Sequence, residues 1–178
     1  MSHERYRLGF HIAPKTGWLN DPNGFSYYKG QYHLFYQYHP YNTYWGPMHW
    51  GHAVSRDMVH WENLPIALEP DNLGTIYSGT AVVDWNDTTG FFGGKSGIVA
   101  VFTHNSDQYE CQSLAYSADC GRTWHKYEGN PVIKGDGSKD YRDFRDPKVF
   151  WYAPRGKWIM FVGGGTYRIY SSDNLREW

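Results

Sequence analysis

The sequence predicts an all-β protein made of short antiparallel strands. Helical periodicity is nearly absent, aromatic and β-branched runs recur between clusters of Gly, Asn, Asp and Pro, and 19% of the 178 residues are aromatic. Each such run, bounded by turn residues, has the length and composition of one strand. The candidate strands are Gly24–Tyr28, Gln31–Tyr38, Trp50–Ser55, Ile76–Val83, Gly97–His104, Gln112–Ser117, Lys148–Tyr152, Trp158–Gly163 and Arg168–Ser171.

Tight turns are expected where Gly and Pro interrupt these runs. Lys29-Gly30 lies between the first two candidate strands, and Pro154-Arg155-Gly156 lies between Tyr152 and Trp158. Glycine supplies the positive φ that short hairpin connections need, and proline presets a turn angle.

A weak repeat groups the strands into larger units. A Ser-x-Asp sequence with Trp following it a few residues later occurs in Ser55–Trp61, Ser117–Trp124 and Ser171–Trp178. Periods of this size, with about four strands each, favour propeller blades in which a polar side chain and a packed Trp stabilise the turn before the outermost strand. Chance similarity among turn-rich segments is the alternative. Propellers usually have about four to eight blades, so we expect the chain to cover part of one.

Composition and charge exclude several classes of function. The net charge is −1 and no block of like charges occurs, so nucleic acid and anionic membrane are not expected as partners. The longest largely apolar stretch, Trp158–Gly165, is far short of the ~18 residues of a spanning helix. The charged segment Met1–Arg7 leads into no apolar region, which predicts a cytoplasmic protein. Cys111 and Cys120 are expected to be reduced structural thiols.

Two carboxylates are expected to meet at the centre of the propeller. Residues just before the innermost strand of a blade point into the axial funnel, and Asp21-Pro22 and Asp146-Pro147 both stand at such positions. The proline keeps the preceding residue extended. Either motif alone is common turn chemistry, but the pair in register with the repeat favours a site.

An aromatic stretch with interleaved amide and imidazole groups lies between the two motifs. It comprises Phe35–Pro40 and Trp45–His52. Sugars bind such surfaces through ring stacking and fixed polar partners, although for any one ring packing between blades is the more common role. His49 and His52 lack a third ligand at suitable spacing, so we predict neither a metal nor another cofactor.

Taken together, five ordered motifs resemble glycoside hydrolase family 32, the family of invertases, sucrose-6-phosphate hydrolases and fructanases. The motifs are Trp18–Gly24, Phe35–Pro40, Trp45–His52, Tyr77–Thr80 and Arg145–Pro147, and the resemblance runs from about Gly9 to Trp178. It implies a five-bladed β-propeller that is usually followed by a β-sandwich and cleaves β-fructofuranosides with retention. Residues 1–178 would then be the N-terminal part of the propeller, about its first three blades, without the sandwich.

The resemblance also implies roles for individual residues. Asp21 matches the nucleophile and Asp146 the transition-state stabiliser, whose ionised form the neighbouring Arg145 is expected to favour. The positions that match the fructose-binding residues of the family are Asn20, Gln37, Trp45, Ser78 and Arg145. The family's acid/base is a Glu in a Glu-Cys motif after the Arg-Asp-Pro motif, and no such motif follows it here. Glu110-Cys111 precedes that motif and is interpreted as a coincidence.

The sequence therefore predicts retaining hydrolysis of a small carbohydrate, sucrose or sucrose 6-phosphate, through a covalent fructosyl-enzyme. Sucrose is favoured because no secretion signal is seen, whereas polymeric fructans are usually met outside the cell. Three alternatives stay open: a fructosyltransferase, a fructanase, and a degenerate or noncatalytic sugar-binding propeller.

Overall fold

The computed structural model describes residues 5–8, 11–138, 141 and 143–178. Part of the charged N-terminal segment, and Gly9, where the resemblance begins, lie outside the described residues. Strands dominate the described chain, which confirms the all-β prediction. The strands are β1 (Trp18–Tyr28), β2 (Gln31–His39), β3 (His49–Ser55), β4 (Trp61–Leu68), β5 (Thr75–Asp84), β6 (Gly97–Asn105), β7 (Glu110–Ser117), β8 (His125–Lys126), β9 (Ile133–Lys134), β10 (Lys148–Tyr152), β11 (Lys157–Val162) and β12 (Arg168–Ser172).

These strands form three antiparallel sheets that follow one another along the chain. The first sheet has the order β1-β2-β3-β4, the second β5-β6-β7-β8 with β9 also paired to β7, and the third β10-β11-β12. Apart from β9, each strand pairs with a neighbour in sequence within its sheet, so the sheets are meanders. The three sheets do not close into a ring.

All the predicted strands are present, with ends that shift by a few residues. The largest shift is at β1, which begins at Trp18, so that Asp21 lies inside the strand and not ahead of it as predicted. The sequence did not predict β4, β8 and β9. Pro65 within β4 has no N–H to donate to the sheet, so the segment did not resemble a strand in the sequence. A proline is tolerated there because β4 is an edge strand of the first sheet. The strands β8 and β9 have only two residues each.

Both predicted turns are present. Lys29 and Gly30 have φ values of 47° and 82° and join β1 to β2 by a two-residue turn, because Tyr28 pairs directly with Gln31. Between β10 and β11, the 3₁₀ turn Ala153–Arg155 ends at Gly156, whose φ is 58°.

The repeated Ser-x-Asp sequence stabilises the turn that precedes the outermost strand in the first two sheets. Ser55 Oγ donates to Asp57 at 3.0 Å, and Trp61 Nε1 donates to the carbonyl oxygen of Met58 at 3.1 Å. Ser117 and Asp119 make the same bond at 2.8 Å in the second sheet, where the corresponding indole is that of Trp124.

In the third sheet the predicted repeat is wrong by one residue. Ser172 and Asn174, not Ser171 and Asp173, make the turn hydrogen bond, at 3.3 Å, and Trp178 Nε1 donates to Leu175 O at 2.7 Å. Asp173 instead forms an ion pair with Lys157 across the edge of the sheet. Asparagine accepts the same backbone N–H groups as aspartate, so the pattern Ser-x-Asx describes all three copies.

The hydrophobic core lies in two seams between the sheets. We call the contact of the first and second sheets the first seam, and that of the second and third sheets the second seam. Strand β6 is buried on both faces, with Ile98 and Phe102 in the first seam and Val99 and Val101 in the second. This explains its continuous apolar run, since a strand covered on both sides has no polar face.

The inner strands β1 and β5 approach each other closely at Gly24. Its φ is 53°, and a Cβ at this position would lie 2.8 Å from the Cβ of Ala81. A side chain would therefore separate the two strands. The described residues include no helix long and apolar enough to cross a membrane.

Candidate functional site

A depression of about 210 Å³ lies where the inner strands of the three sheets meet. All seven residues that the sequence predicted for the site line it, together with Tyr77. The lining residues are Asn20, Asp21, Gln37, Trp45, Tyr77, Ser78, Arg145 and Asp146. The volume is below the ~300–1,000 Å³ of typical small-molecule sites.

Irregular pairing of two inner strands presents four of the lining residues. The β1–β2 register shifts between Leu19 and Pro22, and the β5–β6 register shifts between Ile76 and Gly79. Bulges of this kind release a strand from its partner and redirect side chains. The residues redirected are Asn20, Asp21, Tyr77 and Ser78. Ser78 Oγ then donates to Asp21 Oδ2 at 2.9 Å, which joins the first two sheets at the site.

Side chains of the first sheet donate hydrogen bonds to backbone carbonyls of the β5 bulge. Gln37 Nε2 donates to Ile76 O at 3.0 Å, and Trp50 Nε1 donates to Tyr77 O at 3.0 Å. Both side chains are buried. The first sheet thus holds the backbone that carries Ser78.

The loop that carries Arg145 and Asp146 is held by the second sheet. Asp146 has a φ of 62°, an uncommon conformation for a residue other than glycine, and its N–H donates to Thr103 Oγ1 at 3.2 Å. Thr103 Oγ1 donates in turn to Gln112 Oε1 at 2.8 Å, and Gln112 Nε2 donates to Phe144 O at 2.8 Å. Thr103 and Gln112 are fully buried.

The proline that follows Asp146 is fixed by a further contact. Thr80 Oγ1 donates to Pro147 O at 2.7 Å, and Thr80 is also within hydrogen-bond distance of the N–H of Val149. Inner strand β5 therefore contacts the start of β10 as well as the bulged stretch of β1.

Burial and two neighbouring charges set the pKa of Asp146. Asp146 is exposed to solvent, but the walls of the depression partly desolvate its carboxylate. This desolvation raises its pKa above the ordinary value. Arg145 lowers the pKa, as expected, but the negative charge of Asp21 raises it. Arg145 therefore favours the ionised form as expected, but burial and Asp21 together outweigh it, so the net pKa of Asp146 is raised. The effect of Asp21 also places the two carboxylates within electrostatic range.

Arg145 is itself held by two carboxylates. Its Nη1 donates to Glu110 Oε1 at 3.0 Å and to Asp143 Oδ1 at 2.7 Å. Burial opposes the charge of Arg145, but the hydrogen bonds that it donates to these two carboxylates raise its pKa. The pKa of Glu110 is raised, chiefly by burial and further by the charges of Asp143 and Asp146, although Arg145 lowers it.

The remaining predicted residues lie at the rim of the depression or next to it. The Trp45 ring is about half exposed and stands edge-on to Tyr77, with 6.4 Å between ring centroids. Asn20 Oδ1 accepts from Trp18 Nε1 at 2.8 Å, which leaves its amide group to donate. These groups offer a ring face and hydrogen-bond donors, the combination that binds a sugar.

Sequence reasoning missed four residues of the site and its support. Tyr77 stood inside a recognised motif but was not selected, and Trp50 likewise lay inside Trp45–His52. The supporting role of Thr103 and Gln112 could not be predicted from the sequence, where both look like ordinary strand residues. It becomes visible only when β6 and β7 lie beside the loop of Arg145 and Asp146.

No metal centre is found among the described residues, where no group of three or more His, Cys, Asp or Glu side chains could hold an ion. His49 and His52 stand three apart on β3, so they face opposite sides of the strand. A larger depression of about 380 Å³, lined by Pro14, Tyr36 and Asn63 among others, contains no carboxylate. Size therefore does not distinguish the candidate site.

Two carboxylates from different sheets, in one depression with an arginine, an amide and aromatic rings, are typical of carbohydrate-active enzymes. Comparison with known families agrees with this class. The chain belongs to glycosyl hydrolase family 32, because the model of the "Glycosyl hydrolases family 32 N-terminal domain" matches residues 11–178.

Curated relatives of the chain are named as glycosidases of fructosides. The chain is 58% identical over 177 residues to "Levanase" of Bacillus subtilis (strain 168), a match that covers 98% of this chain and 26% of the levanase. It is 43% identical over 179 residues to "Invertase 1" of Saccharomyces cerevisiae, covering 94% of this chain and 33% of the invertase. The chain thus spans about a quarter to a third of the length of these relatives.

A solved structure is similar over the same range. The β-fructofuranosidase from Schwanniomyces occidentalis, complexed with fructosyl-erythritol, superimposes with a TM-score of 0.89 at 43% identity. The match covers 97% of this chain and 35% of that one.

Proposed function

We propose that this protein hydrolyses β-fructofuranosidic bonds with retention of configuration. The observation that carries the proposal is that Asp21 and Asp146, far apart in sequence, line one depression with all five predicted sugar-binding residues. The names of the relatives support fructosides as the substrate class.

Asp21 would act as the nucleophile. An oxygen of its carboxylate forms a bond to the anomeric carbon C2 of the fructosyl unit while the bond from C2 to the leaving oxygen breaks. The Ser78 hydroxyl, which donates to Asp21 Oδ2, would orient the carboxylate for this attack. Water then attacks C2 of the covalent fructosyl-enzyme and releases the carboxylate.

Asp146 would stabilise the positive charge that develops on the sugar ring, while Arg145 donates to sugar hydroxyls. A third carboxyl group must give the leaving oxygen its proton and later take one from water. We assign this acid/base to the part of the natural protein that corresponds to the rest of the relatives' length. The contacts of Glu110 argue against it as this acid/base, since one oxygen accepts from Arg145 and the other is buried.

The size of the natural substrate is a second element of the proposal. Sucrose or sucrose 6-phosphate follows from the expected cytoplasmic location, which itself stays a prediction. The relatives named levanase and "Fructan beta-fructosidase", the latter 48% identical over 180 residues, favour a fructan instead. Turnover of sucrose compared with that of levan by the full-length natural protein decides between them.

The three sheets would be the first three blades of a five-bladed propeller. The three similar stabilised turns and the meeting of three inner strands at the depression support this architecture. A crystal structure of the full-length natural protein tests the number of blades.

The decisive experiment replaces Asp21 by alanine in the full-length natural protein. We expect kcat to fall by more than about 10²-fold with little change in KM, because the lost bond exists only in the covalent step. Asp107→Ala is the matched control, since Asp107 is exposed in the β6–β7 loop. Product analysis by NMR should show β-fructofuranose as the first anomer released.

Other outcomes point to the alternatives. A variant that keeps more than about a hundredth of wild-type kcat would remove Asp21 from the role of nucleophile. A wild-type protein that binds fructosides without turnover would indicate a noncatalytic sugar-binding propeller. Transfer of fructosyl to a second sugar, in preference to water, would indicate a fructosyltransferase.

A further inference from the structure

Glu110 lies beside the site although the reaction has no step for it. It begins β7, and its side chain is only 10% exposed. Its Oε1 accepts from Arg145 Nη1 at 3.0 Å, whereas its Oε2 is buried without a hydrogen-bond partner among the described residues. A buried carboxylate is costly unless an opposite charge compensates it. Arg145 is the opposite charge that contacts it.

The other charges near Glu110 oppose its ionised form. Asp143 and Asp146 raise its pKa in addition to burial, and Arg145 is the group that lowers it. The Glu110 charge acts in turn on the phenol of Tyr77, which lines the depression. Glu110 does not itself line the depression, but it contacts Arg145, which does.

Both hydrogen bonds from Arg145 to carboxylates use the same nitrogen. Nη1 is shared between Glu110 and Asp143, which approach it from a buried and an exposed side respectively. Among the described residues, neither Nε nor Nη2 of Arg145 donates to the protein. Because a guanidinium is planar and rigid, fixing Nη1 fixes the direction of the remaining donors.

We propose that Glu110 is a positioning residue, which holds Nη1 of Arg145 so that the other donors of the guanidinium face the sugar hydroxyls in the depression. The proposal rests on the proposed function in one respect, namely that Arg145 binds a fructosyl unit. Glu110 contacts no substrate and acts through Arg145.

The test compares Glu110→Gln with Asp143→Asn in the full-length natural protein. Each variant removes one negative charge that contacts Nη1, but only the first removes it from a buried position. We expect E110Q to raise KM for a β-fructoside about tenfold, with kcat changed by less than about threefold. D143N should change KM by less than about threefold, because water replaces an exposed partner. Equal effects of the two variants, or an unchanged KM in E110Q, would overturn the proposal.

A double-mutant cycle separates positioning from general stability. Arg145→Lys replaces the planar guanidinium and its several fixed donors by a single ammonium group. This change should itself raise KM, because fewer oriented donors remain for the sugar. In this background E110Q should raise KM by less than about twofold more, since the group through which it acts is gone. Additive effects would show that Glu110 acts without Arg145 and would contradict the proposal. If E110Q does not fold, Glu110→Asp, which keeps the charge at a shorter reach, takes its place in the cycle.

A crystal structure of E110Q keeps the two proposals distinguishable. If the wild-type protein shows no activity on any fructoside, the proposed function fails, and the position of Arg145 still tests the role of Glu110. The guanidinium should move away from its wild-type position when Glu110 is neutral. An unmoved guanidinium would refute the positioning role whatever the activity.

Discussion

The two seams of the molecule hold the candidate site in different ways. In the first seam, Gln37 and Trp50 donate to carbonyls of the β5 bulge, and Gln37 also lines the depression. In the second seam, Thr103 and Gln112 hold the loop of Asp146 from a fully buried position and do not line the depression.

The difference follows from the backbone that each seam must support. Asp21 lies in a strand whose ladder to β2 resumes on both sides of the bulge, so the ladder fixes most of its conformation. Asp146 precedes β10 and has a positive φ, which a ladder does not stabilise. A strained backbone conformation persists only where neighbouring groups hold it in place. The buried Thr103–Gln112 pair holds the backbone of Asp146 in this way.

The largest effect on stability is expected from Gln112→Leu. The change leaves the Thr103 hydroxyl and the Phe144 carbonyl without their partner in a buried place, which costs about 2–4 kcal/mol. Urea unfolding of the full-length natural protein measures it. Activity on a fructoside should fall as well, since Asp146 loses its support. Gln108→Leu, at an exposed position of the β6–β7 loop, is the control.

Gln37→Leu should give a smaller loss of stability and a direct effect on binding. One carbonyl, that of Ile76, loses its side-chain donor, at a cost of about 1–2 kcal/mol. Because Gln37 lines the depression, KM for a β-fructoside should rise even where the protein is fully folded. The comparison of the seams is wrong if Gln37→Leu destabilises the protein more than Gln112→Leu, or leaves KM unchanged.

These two glutamines also show how far the sequence could predict the site. Gln37 stands in a recognised motif, and the two Asp-Pro pairs predict that Asp21 and Asp146 meet, so the lining of the depression could be anticipated. The role of Gln112 could not, because it depends on the register between β6, β7 and a loop more than thirty residues away. The bulges at Asp21 and Ser78 likewise arise from pairing with β2 and β6.

The first seam should be the more sensitive to acid. His33 Nδ1 and His52 Nε2 lie 3.1 Å apart in it, and burial lowers the pKa of both residues, that of His52 to about 3. In the unfolded chain these side chains bind protons below about pH 6.5, whereas folded His52 stays neutral until about pH 3. The free energy of unfolding therefore falls as the pH drops from 6.5 toward 3.

His52→Phe tests this origin of the acid sensitivity. The variant removes one titrating group, so the free energy of unfolding should decline less steeply over the same pH range, as measured by urea unfolding at several pH values. His125→Phe replaces an exposed histidine and should leave the slope unchanged. Equal slopes in wild type and His52→Phe would show that His52 is not a source of the acid sensitivity.

The smallest expected effect is electrostatic and links the two halves of the site. The charge of Asp21 contributes to the raised pKa of Asp146, after burial. Asp21→Asn keeps the shape of the side chain and removes that charge, so the pKa of Asp146 should fall toward its ordinary value while staying above it, because burial persists. A titration of the carboxyl carbon of Asp146 followed by NMR measures the change.

Ser78→Ala removes the hydroxyl that contacts Asp21 but keeps both charges, and it should leave the pKa of Asp146 raised. If Asp21→Asn does not lower this pKa, the two carboxylates are too far apart to serve one sugar ring.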